Sequence, residues 1–259
     1  MVDKLTLAYQ AHLRSTRAAV SDAVGAQWRA LGSYNEADVG RFVSAVSPVV
    51  SAGQIRAVAL TQAYVARKTG SPIVGVDVPA LQATLRNGVG SDVVYRRPFV
   101  RVWTTLKRIG AGDEEGDYET AVQVGQNQAE SNSDMDIALA MMAAYVALGS
   151  SSSDSGSEDE IVAWRRVADG NCCDYCQMLD GVHTGPDEPQ PLHNRCGCTA
   201  EPIMRRSRIT GDLASPGDSI EGVTIHQHGE LGPVISRKGD SFTSIDDLTA
   251  QQVAISQGE

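Results

Sequence analysis

The first thirty residues carry large apolar side chains at intervals of three, four or seven positions. Such intervals place these side chains on one face of an α-helix, because a helix has about 3.6 residues per turn. Gly32 follows the pattern and favours a helix end there. The sequence therefore predicts a first helix whose apolar face consists of Leu5, Tyr9, Leu13, Val20, Val24, Trp28 and Leu31.

Two further helices are predicted next. Ser33 and Glu36 have the spacing of a capping box, and Asn35 is a competing N-cap for the same helix start. Pro48 lacks the backbone N–H that an interior helical position requires, so we expect it to end or bend this second helix. A third helix is predicted over residues 54–68.

The middle of the chain has two more helical segments, after a connecting stretch that is rich in Gly and Pro. Residues 97–109 place Val100, Trp103 and Leu106 in one stripe, which predicts that these three side chains are buried. A long helix is predicted over residues 118–148. Residues 131–136, with the sequence SNSDMD, are expected to interrupt it, because Ser and Asn side chains compete for backbone hydrogen bonds.

The C-terminal part of the chain shows less helical periodicity. Residues 149–160 are Ser-rich and acidic, and their few apolar side chains cannot offset the entropy of ordering, which predicts a flexible linker or a solvated loop. Residues 205–259 predict an irregular tail with one or two short strands and a weak terminal helix. The expected organisation is a helical region over 1–148, the linker, a Cys/His module over 161–204, and the tail.

Composition supports a mainly α protein. Aromatic residues make up only 5% of the 259 residues, and Ala, Val and Leu supply most of the apolar side chains, as in long helices with small contact residues. The formal net charge of −10 opposes broad attraction to nucleic acid or anionic membranes. The chain start lacks a signal-peptide pattern and no run of about 18 apolar residues occurs. We therefore expect a soluble protein made in a cytoplasm, without a membrane partner.

All five cysteines lie between residues 172 and 198, in the stretch NCCDYCQMLDGVHTGPDEPQPLHNRCGC. In a reducing compartment, clustered cysteines are metal ligands more often than disulfides. Cys173 and Cys176 form a Cys-x2-Cys turn, which brings two thiolates toward one centre. After a gap of sixteen residues, His193 and Cys196 supply a second pair with the spacing His-x2-Cys. The pattern predicts a tetrahedral Zn²⁺ site with these four residues as ligands.

The fourth ligand has an alternative. Cys198 lies two residues beyond Cys196, and a Cys-x-Cys pair can also reach one ion, in which case His193 would be a hydrogen-bonding neighbour of the ligands. Cys172 is the least favoured ligand, because the side chains of adjacent residues diverge. Strands are predicted over AWRRVAD and after a tight turn in MLDGVHT. We therefore expect a small zinc-stapled α+β module of the zinc-knuckle or treble-clef type, stabilised largely by its metal.

This segment resembles the signature of the Mu F-like minor head proteins of tailed bacteriophages. The resemblance rests on Trp164, the pair Cys173 and Cys176, LDG at residues 179–181, and HNRCGC at residues 193–198. It covers residues 161–202.

The match to the family pattern is not complete. The pattern ends, loosely, in His-Pro-Asn-Cys-Arg-Cys, and here Asn194, Arg195 and Gly197 replace its Pro, Asn and Arg. The doubled CC that begins at Cys172 is also unusual for the family. All metal-capable positions are retained, so these departures affect the family assignment more than the metal site.

The resemblance implies a virion component that is incorporated in low copy number near the portal and acts in head morphogenesis, genome packaging or DNA ejection. The implied partners are the phage portal protein, the major capsid protein or both, with packaged DNA as a further contact. The implied location is the capsid interior or the portal vertex, after assembly in the host cytoplasm. The matched motif implies no catalytic residue.

A metal-dependent nuclease or other hydrolase is the alternative function. Nucleases of the histidine-metal type also use small zinc-knuckle scaffolds, and this segment contains His183 and His193. Against this reading, residues 161–208 contain six Arg and six acidic residues, which leaves no net positive field for DNA. Asp187 and Glu188 lie in a Pro-rich stretch that favours a solvated loop over a general base. Thiolate-rich sites with four protein ligands are also usually closed and structural.

Two other features have weaker chemical signals. His226 and His228 lie on one side of a predicted strand, a spacing that can bind a metal, with Glu230 as the nearest carboxylate in sequence. Without a third ligand, two exposed histidines are the preferred interpretation. The basic run RRSR at residues 205–208 is expected to be solvated rather than to contact DNA or an acidic portal surface.

Overall fold

A computed structural model of the chain describes residues 2–72, 75–109, 115–152, 158, 160–170, 172–193, 195–207, 219–220 and 223–237. Within these residues the protein is mostly helical, as predicted, with two small three-stranded sheets in its C-terminal part. The helical elements before the sheets are α1 Lys4–Arg29, α2 Glu36–Thr69, α3 Val78–Thr84, a 3-10 helix Leu85–Gly88, α4 Ser91–Ile109 and α5 Glu115–Ser152. Helix α5 packs against α1, α2 and α4, so it is the central helix of the bundle.

Helix α1 places most of its predicted apolar stripe in the core. Asp3 caps the helix start by accepting a hydrogen bond from the Thr6 N–H at 2.9 Å. Tyr9 stacks on Tyr64 of α2 with ring centroids 4.2 Å apart. Trp28 is fully buried and packs against aromatic rings of α2 and α4. These aromatic contacts join α1 to both neighbouring helices.

The start of α2 uses the competing cap rather than the predicted Ser33 and Glu36 box. The side chain of Asn35 accepts hydrogen bonds from the N–H groups of Ala37 and Asp38, at 2.9 and 3.3 Å. The Asp38 carboxylate accepts in return from the Asn35 N–H. A capping box with Asp38 as its third residue therefore begins the helix.

Helix α2 is continuous where two helices were predicted. It runs through Pro48 and ends before Gly70, which adopts the left-handed conformation with φ 74°. Val46 and Val50, on either side of the proline, are buried in the core. Burial on both sides outweighs the single backbone hydrogen bond that the proline removes. The prediction of a separate helix over 54–68 was therefore wrong.

Helix α4 buries a different stripe from the predicted one. Val100 is 41% exposed, and Trp103 and Leu106 are only partly buried. Phe99 is fully buried instead, because it packs against the rings of Trp28 and Phe42. Both stripes satisfy the helical period, so the contacts with other helices decide which one faces the core. The buried residues of α4 are Val94, Tyr95, Pro98, Phe99, Val102 and Thr105.

Helix α5 continues through residues 131–136, so the predicted interruption was wrong. Asn132, Asp134 and Asp136 of this stretch bond to other helical elements, whereas Ser133 donates to the Glu130 carbonyl of its own helix at 2.8 Å. Asp136 accepts a hydrogen bond from the Tyr95 hydroxyl at 2.7 Å and forms a buried ion pair with Arg86. Asn132 donates to the backbone carbonyl of Val94 at 3.2 Å. Interhelical partners therefore remove the competition that would break the helix.

The two sheets are antiparallel and small. The first has the order β2-β1-β3, and the second has the order β4-β5-β6. Their elements, with the short helix α6 between β1 and β2, are β1 Ile161–Val167, α6 Asp174–Met178, β2 His183–Thr184, β3 Thr199–Met204, β4 Ser219–Ile220, β5 Val223–His228 and β6 Gly232–Arg237.

The first sheet packs on the helices and shares their core. The rings of Trp164 in β1 and Tyr145 in α5 have centroids 4.9 Å apart. Gln10 of α1 donates to the Val167 carbonyl at 3.3 Å and to the Thr199 hydroxyl at 3.1 Å. One hydrophobic cluster contains residues from the long helices and from the cysteine segment. The cysteines are therefore held against the helical bundle.

The predicted linker and tail fall partly within the described residues. Helix α5 includes residues 149–152, so the first four residues of the predicted linker are helical. Residues 153–157 and 159 lie outside the described part of the chain. Strands β5 and β6 confirm the short strands predicted in the tail. The predicted terminal helix lies outside the described residues, and the division of the chain into four regions stays a prediction.

Two helical segments, Glu36–Thr69 and Asp117–Ser152, are long and apolar enough to span a membrane. Core helices of water-soluble proteins meet the same criterion. In the second of them, 67% of the apolar window is already buried against other parts of the molecule. Length and composition are therefore weak evidence for a membrane here.

Candidate metal centre

Strand β1 and the turn after it position the first cysteine pair. The Cys172 N–H donates to the Asp169 carbonyl at 3.1 Å and closes a turn. Cys173 is then the N-cap residue of α6, and Cys176 lies inside that helix. The Cys-x2-Cys pair thus occupies one helical turn, which brings both sulfur atoms to the same side.

A tight turn leads from α6 into β2, which pairs with β1. Gly181 has φ 83°, a conformation that favours glycine, and the predicted turn is confirmed. Its N–H donates to the Arg166 carbonyl at 2.9 Å, and the Arg166 N–H donates to Val182 at 2.8 Å. These bonds fix the Cys-x2-Cys turn against the middle of β1.

The second ligand pair is held by the other sheet and by a local turn. Leu192 forms a parallel bridge with Val234 of β6, which fixes the backbone next to His193. The Cys196 N–H donates to the His193 carbonyl at 3.1 Å. Arg195, within this turn, has φ 55°. The chain then passes Cys198 and enters β3, so both sheets position the second pair.

The two halves of the segment meet at their sulfur and nitrogen atoms. His193 Nε2 lies 3.3 Å from Cys173 Sγ and 2.7 Å from Cys176 Sγ. Cys176 Sγ lies 3.6 Å from Cys196 Sγ. Cys173, Cys176 and His193 form one group whose ligand atoms all lie within 4.8 Å of one another, and Cys176, Cys196 and Cys198 form a second. The structure therefore brings all five candidate ligands into one cluster that could hold a metal ion.

The spacing of the donor atoms suits a tetrahedral ion. Bonds of about 2.3 Å to sulfur and about 2.0 Å to nitrogen separate tetrahedral ligand atoms by roughly 3.5–3.8 Å. The Cys176–Cys196 distance of 3.6 Å falls in this range, and the Cys173–His193 distance of 3.3 Å is close to it. The Cys176–His193 contact of 2.7 Å would need to open by about 1 Å. Thiolates with an imidazole are donors that borderline and soft metals prefer.

Both choices of fourth ligand are close to the shared thiol. Cys176 belongs to both groups, and His193 belongs to one of them and Cys198 to the other. Among the described residues Cys172 belongs to neither group, and its side chain packs against the hydrophobic core instead. The cluster therefore holds one ligand more than a tetrahedral ion requires.

Contacts within the cluster lower the pKa values of some of its groups and raise those of others. A hydrogen bond from Cys176, followed by contacts with His193, lowers the pKa of Cys173 to about 4. Hydrogen bonds from Cys176 and Cys198 hold the pKa of Cys196 well below its ordinary value. Burial acts to lower the pKa of His193, but the neighbouring thiolates outweigh it and raise this pKa to about 10.

The pKa of Cys176 is raised, first because its thiol donates to Cys173 and then because it donates to Cys196. These shifts favour thiolates at Cys173 and Cys196 beside a protonated Cys176 and a protonated His193. A metal ion that used all of these groups would displace the protons of Cys176 and His193.

Arg166 lies against this cluster and was missed in the sequence. Its side chain is 1% exposed, and its NH2 nitrogen lies 3.1 Å from Cys196 Sγ and 3.4 Å from Cys176 Sγ. Burial acts to lower the pKa of Arg166, but the neighbouring thiolates, first that of Cys196, raise it by more. One signal could have revealed it: Arg166 lies two positions after Trp164 in a predicted strand, so both side chains share a face.

Helices α1 and α5 support the second ligand pair through ion pairs that the sequence did not predict. Arg17 forms two hydrogen bonds with the carboxylate of Asp134 and donates to the Cys196 carbonyl. Asp169 bonds to Arg14 at 3.0 Å and fills the space beside Gly197. A Cβ at position 197 would lie 2.1 Å from Asp169 Oδ2, so any side chain there would have to displace the Asp169 carboxylate from Arg14. The sequence contains no local signal for these contacts, because they join residues that lie far apart in the chain.

Of the two histidines considered for a nuclease, His193 lies in the cluster and His183 does not, and the other residues singled out in the sequence lie in separate settings. His183 is buried in β2, and the carboxylate of Glu188 accepts the Gly185 N–H at 3.1 Å within its own loop. His228 accepts N–H bonds at the turn between β5 and β6, at the edge of a cavity of about 840 Å³ between α3, α5 and that turn. Arg205 pairs with the carboxylate of Glu160, so the first residue of the basic run is neutralised. Asn194 and Arg208 lie outside the described residues.

Comparison with known proteins gives no further assignment. No protein family, no curated protein and no solved structure matches the chain.

Proposed function

We propose that this protein is a minor head protein of a tailed bacteriophage, of the Mu F-like group, with a structural Zn²⁺ ion in its cysteine segment. The observation that carries the proposal is the convergence of Cys173, Cys176, His193 and Cys196 in one cluster. These are the metal-capable positions of the sequence signature that resembles the Mu F-like family. This convergence supports the interpretation that the residues of the signature bind a metal ion.

Zinc is the ion that suits this donor set best. Cysteine thiolates and an imidazole in tetrahedral spacing are typical of structural zinc sites, in which four protein ligands leave no open position. The bound ion would crosslink two turns that are separated by sixteen residues. It would not activate a water molecule. The short helix α6 and the strands β1 to β3 around the cluster are the elements of the proposed zinc-knuckle module.

The proposed role is binding and scaffolding near the portal. The ion would hold the cysteine segment in a fixed shape against the helical bundle, and the helices would provide the surface for the portal or the major capsid protein. Large apolar side chains on three of these helices, Leu7, Ile55, Val93 and Val100, are exposed by 41–49%. Packaged DNA would be a secondary contact, because the net charge of −10 opposes broad binding to phosphate groups.

Two measurements test the two parts of this proposal. Elemental analysis of the natively purified, reduced protein should find one zinc per chain, and the Cys172→Ser variant should retain it. Co-expression with the portal and major capsid proteins should place the chain in procapsids, and mass spectrometry should find it in virions. Absence of bound metal would remove the zinc site, and absence from procapsids and virions would overturn the head-protein role.

A nuclease assay tests the alternative function. The purified zinc-loaded protein should leave single-stranded and double-stranded DNA intact. Cleavage that disappears in the His193→Ala variant would support the nuclease instead and contradict a purely structural site.

A further inference from the structure

The guanidinium of Arg166 is buried beside the candidate metal ligands. Only 1% of the side chain is exposed, which makes it one of the largest fully buried side chains in the described part of the chain. Its NH2 nitrogen lies 3.1 Å from Cys196 Sγ and 3.4 Å from Cys176 Sγ. Its NH1 nitrogen donates to the Pro191 carbonyl. The guanidinium plane is therefore held in place on both sides.

Arg166 has an unusual charge environment for a buried arginine. A guanidinium keeps its charge in a protein, and a buried charge without a counter-ion is strongly destabilising. Among the described residues, no carboxylate lies within ion-pairing distance of Arg166, and its Nε has no hydrogen-bond partner. The adjacent Arg165 differs, since its side chain is 42% exposed and it pairs with Glu201. The anions available to Arg166 are thus the cysteine sulfur atoms.

We propose that Arg166 is the counter-ion of the metal centre, and that its N–H groups donate to the thiolates of Cys176 and Cys196. This inference rests on the proposed metal site. A divalent ion with three thiolates and one neutral imidazole carries a single net negative charge, which one guanidinium balances. Cys176 and Cys196 belong to the ligand set whether His193 or Cys198 completes it. The hydrogen bonds from Arg166 are therefore independent of that choice, whereas with Cys198 as the fourth ligand the guanidinium would balance only one of two negative charges.

Two measurable properties of the centre follow from this role. An N–H donor to a thiolate lowers the energy of the sulfur lone pairs, so that charge transfer from sulfur to a bound metal requires more energy. Loss of the donor should shift the sulfur-to-cobalt absorption of a Co²⁺-loaded protein to longer wavelength. Loss of the counter-ion should also weaken metal binding, because the negative centre would then be buried without compensation.

The experiment uses the full chain loaded with Zn²⁺ or Co²⁺, with Arg166→Met, Arg166→Lys and a control, Arg165→Met. Competition with a chromogenic chelator should show zinc affinity reduced about 10–100-fold in Arg166→Met, the range typical for groups that bond to metal ligands. Arg166→Lys keeps the charge but loses the planar fork, so its affinity should lie between that of Arg166→Met and the unaltered chain. Arg165→Met should match the unaltered chain in affinity and cobalt absorption.

The outcomes separate this inference from the proposed metal site. If the unaltered chain binds neither ion, the metal site is wrong and the role of Arg166 falls with it. If the unaltered chain binds zinc and both Arg166 variants match its affinity and its cobalt absorption, only the counter-ion role is wrong. If Arg166→Met does not fold, Arg166→Lys decides, because a zinc affinity and a cobalt absorption that both match the unaltered chain would overturn the proposal.

Discussion

Arg17 in α1 donates a hydrogen bond to the backbone carbonyl of Cys196, one of the candidate metal ligands. The same guanidinium bonds to the carboxylate of Asp134 in α5, with an Nε–Oδ1 distance of 2.7 Å. Both charged side chains are at least 86% buried, so this pair is shielded from solvent. One side chain thus connects the turn that carries Cys196 to two long helices. Changes at the candidate metal centre should therefore be measurable in the stability of the bundle.

The Cys176→Ser variant should lose its metal ion. Cys176 belongs to both ligand groups, and a hydroxyl is a poor substitute for a thiolate on zinc. We expect stoichiometric zinc to disappear in elemental analysis and residues 164–202 to become sensitive to protease, with most of the helical circular dichroism retained. Cys172→Ser is the matched control and should keep its zinc. Full zinc occupancy in Cys176→Ser would show that the ligand set is wrong.

The His193→Ala and Cys198→Ala variants should separate the two candidates for the fourth ligand. His193 Nε2 lies within 3.3 Å of two thiol sulfur atoms, so we expect His193→Ala to lower zinc affinity more strongly than Cys198→Ala. Chelator competition on both variants measures the difference. The reverse order of affinities would identify Cys198 as the ligand and His193 as its hydrogen-bonding neighbour.

Acid should weaken the attachment of the β5–β6 turn to the helices. Hydrogen bonding to Arg97 lowers the pKa of Glu230 from its ordinary value of 4.5, and Arg86 adds to this effect. A lowered pKa in the folded state gives stability that is present above pH 4.5 and is lost as the pH falls through the folded value. The melting temperature should therefore fall as the pH is lowered from about 5 to about 3.

The Glu230→Gln variant is the control for this acid effect. Its side chain does not titrate, so it should melt lower than the unaltered chain at neutral pH and lose less on acidification. An equal loss of melting temperature in both proteins would show that other carboxylates dominate the acid effect.

The Gly149→Ala substitution should destabilise the protein. A Cβ at position 149 would lie 1.9 Å from the Pro186 carbonyl oxygen and 3.0 Å from Trp164 Nε1, and those two atoms bond to each other at 2.9 Å. We expect a loss of about 1–3 kcal/mol in the free energy of unfolding. Gly40→Ala in α2 is the matched control, because nothing lies within 4 Å of its Cβ position.

The Gly40→Ala control should raise the free energy of unfolding by roughly 0.5–1 kcal/mol, as alanine does in place of an exposed helical glycine. Denaturant titration measures both variants. A stabilising effect of Gly149→Ala would show that the Pro186 carbonyl does not approach this position so closely.

Local patterns in the sequence were sufficient for much of the fold and for the candidate ligands. The spacing of Tyr9, Leu13 and Trp28 predicted the buried face of α1, because helical periodicity alone places these side chains on one face. The turn at Gly181 and the strand through Trp164 were predicted for the same reason. The five candidate ligands were grouped from short spacings, which hardly depend on the rest of the fold.

The features that the sequence did not reveal depend on contacts between distant residues. Pro48 does not end α2, because valines on both of its sides are buried by other helices. Phe99 replaces Val100 in the core of α4, because the rings of α1 and α2 lie on that side. Arg166 is adjacent to Arg165 and has the same side-chain chemistry. Strand alternation places Arg166, and not Arg165, on the face of Trp164, but only the arrangement of the sheet against the cysteines shows what Arg166 contacts.

The depth of the cysteines also governs how fast a metal could be exchanged. Cys176, Cys196 and Cys198 are exposed by at most 1%, and they pack within the same hydrophobic cluster as the long helices. A chelator or an oxidant could reach these sulfur atoms only while the molecule is locally open. Removal of the ion should accordingly proceed at a rate that is independent of chelator concentration once the chelator is in excess, and a thiol reagent should modify Cys172 before these three cysteines.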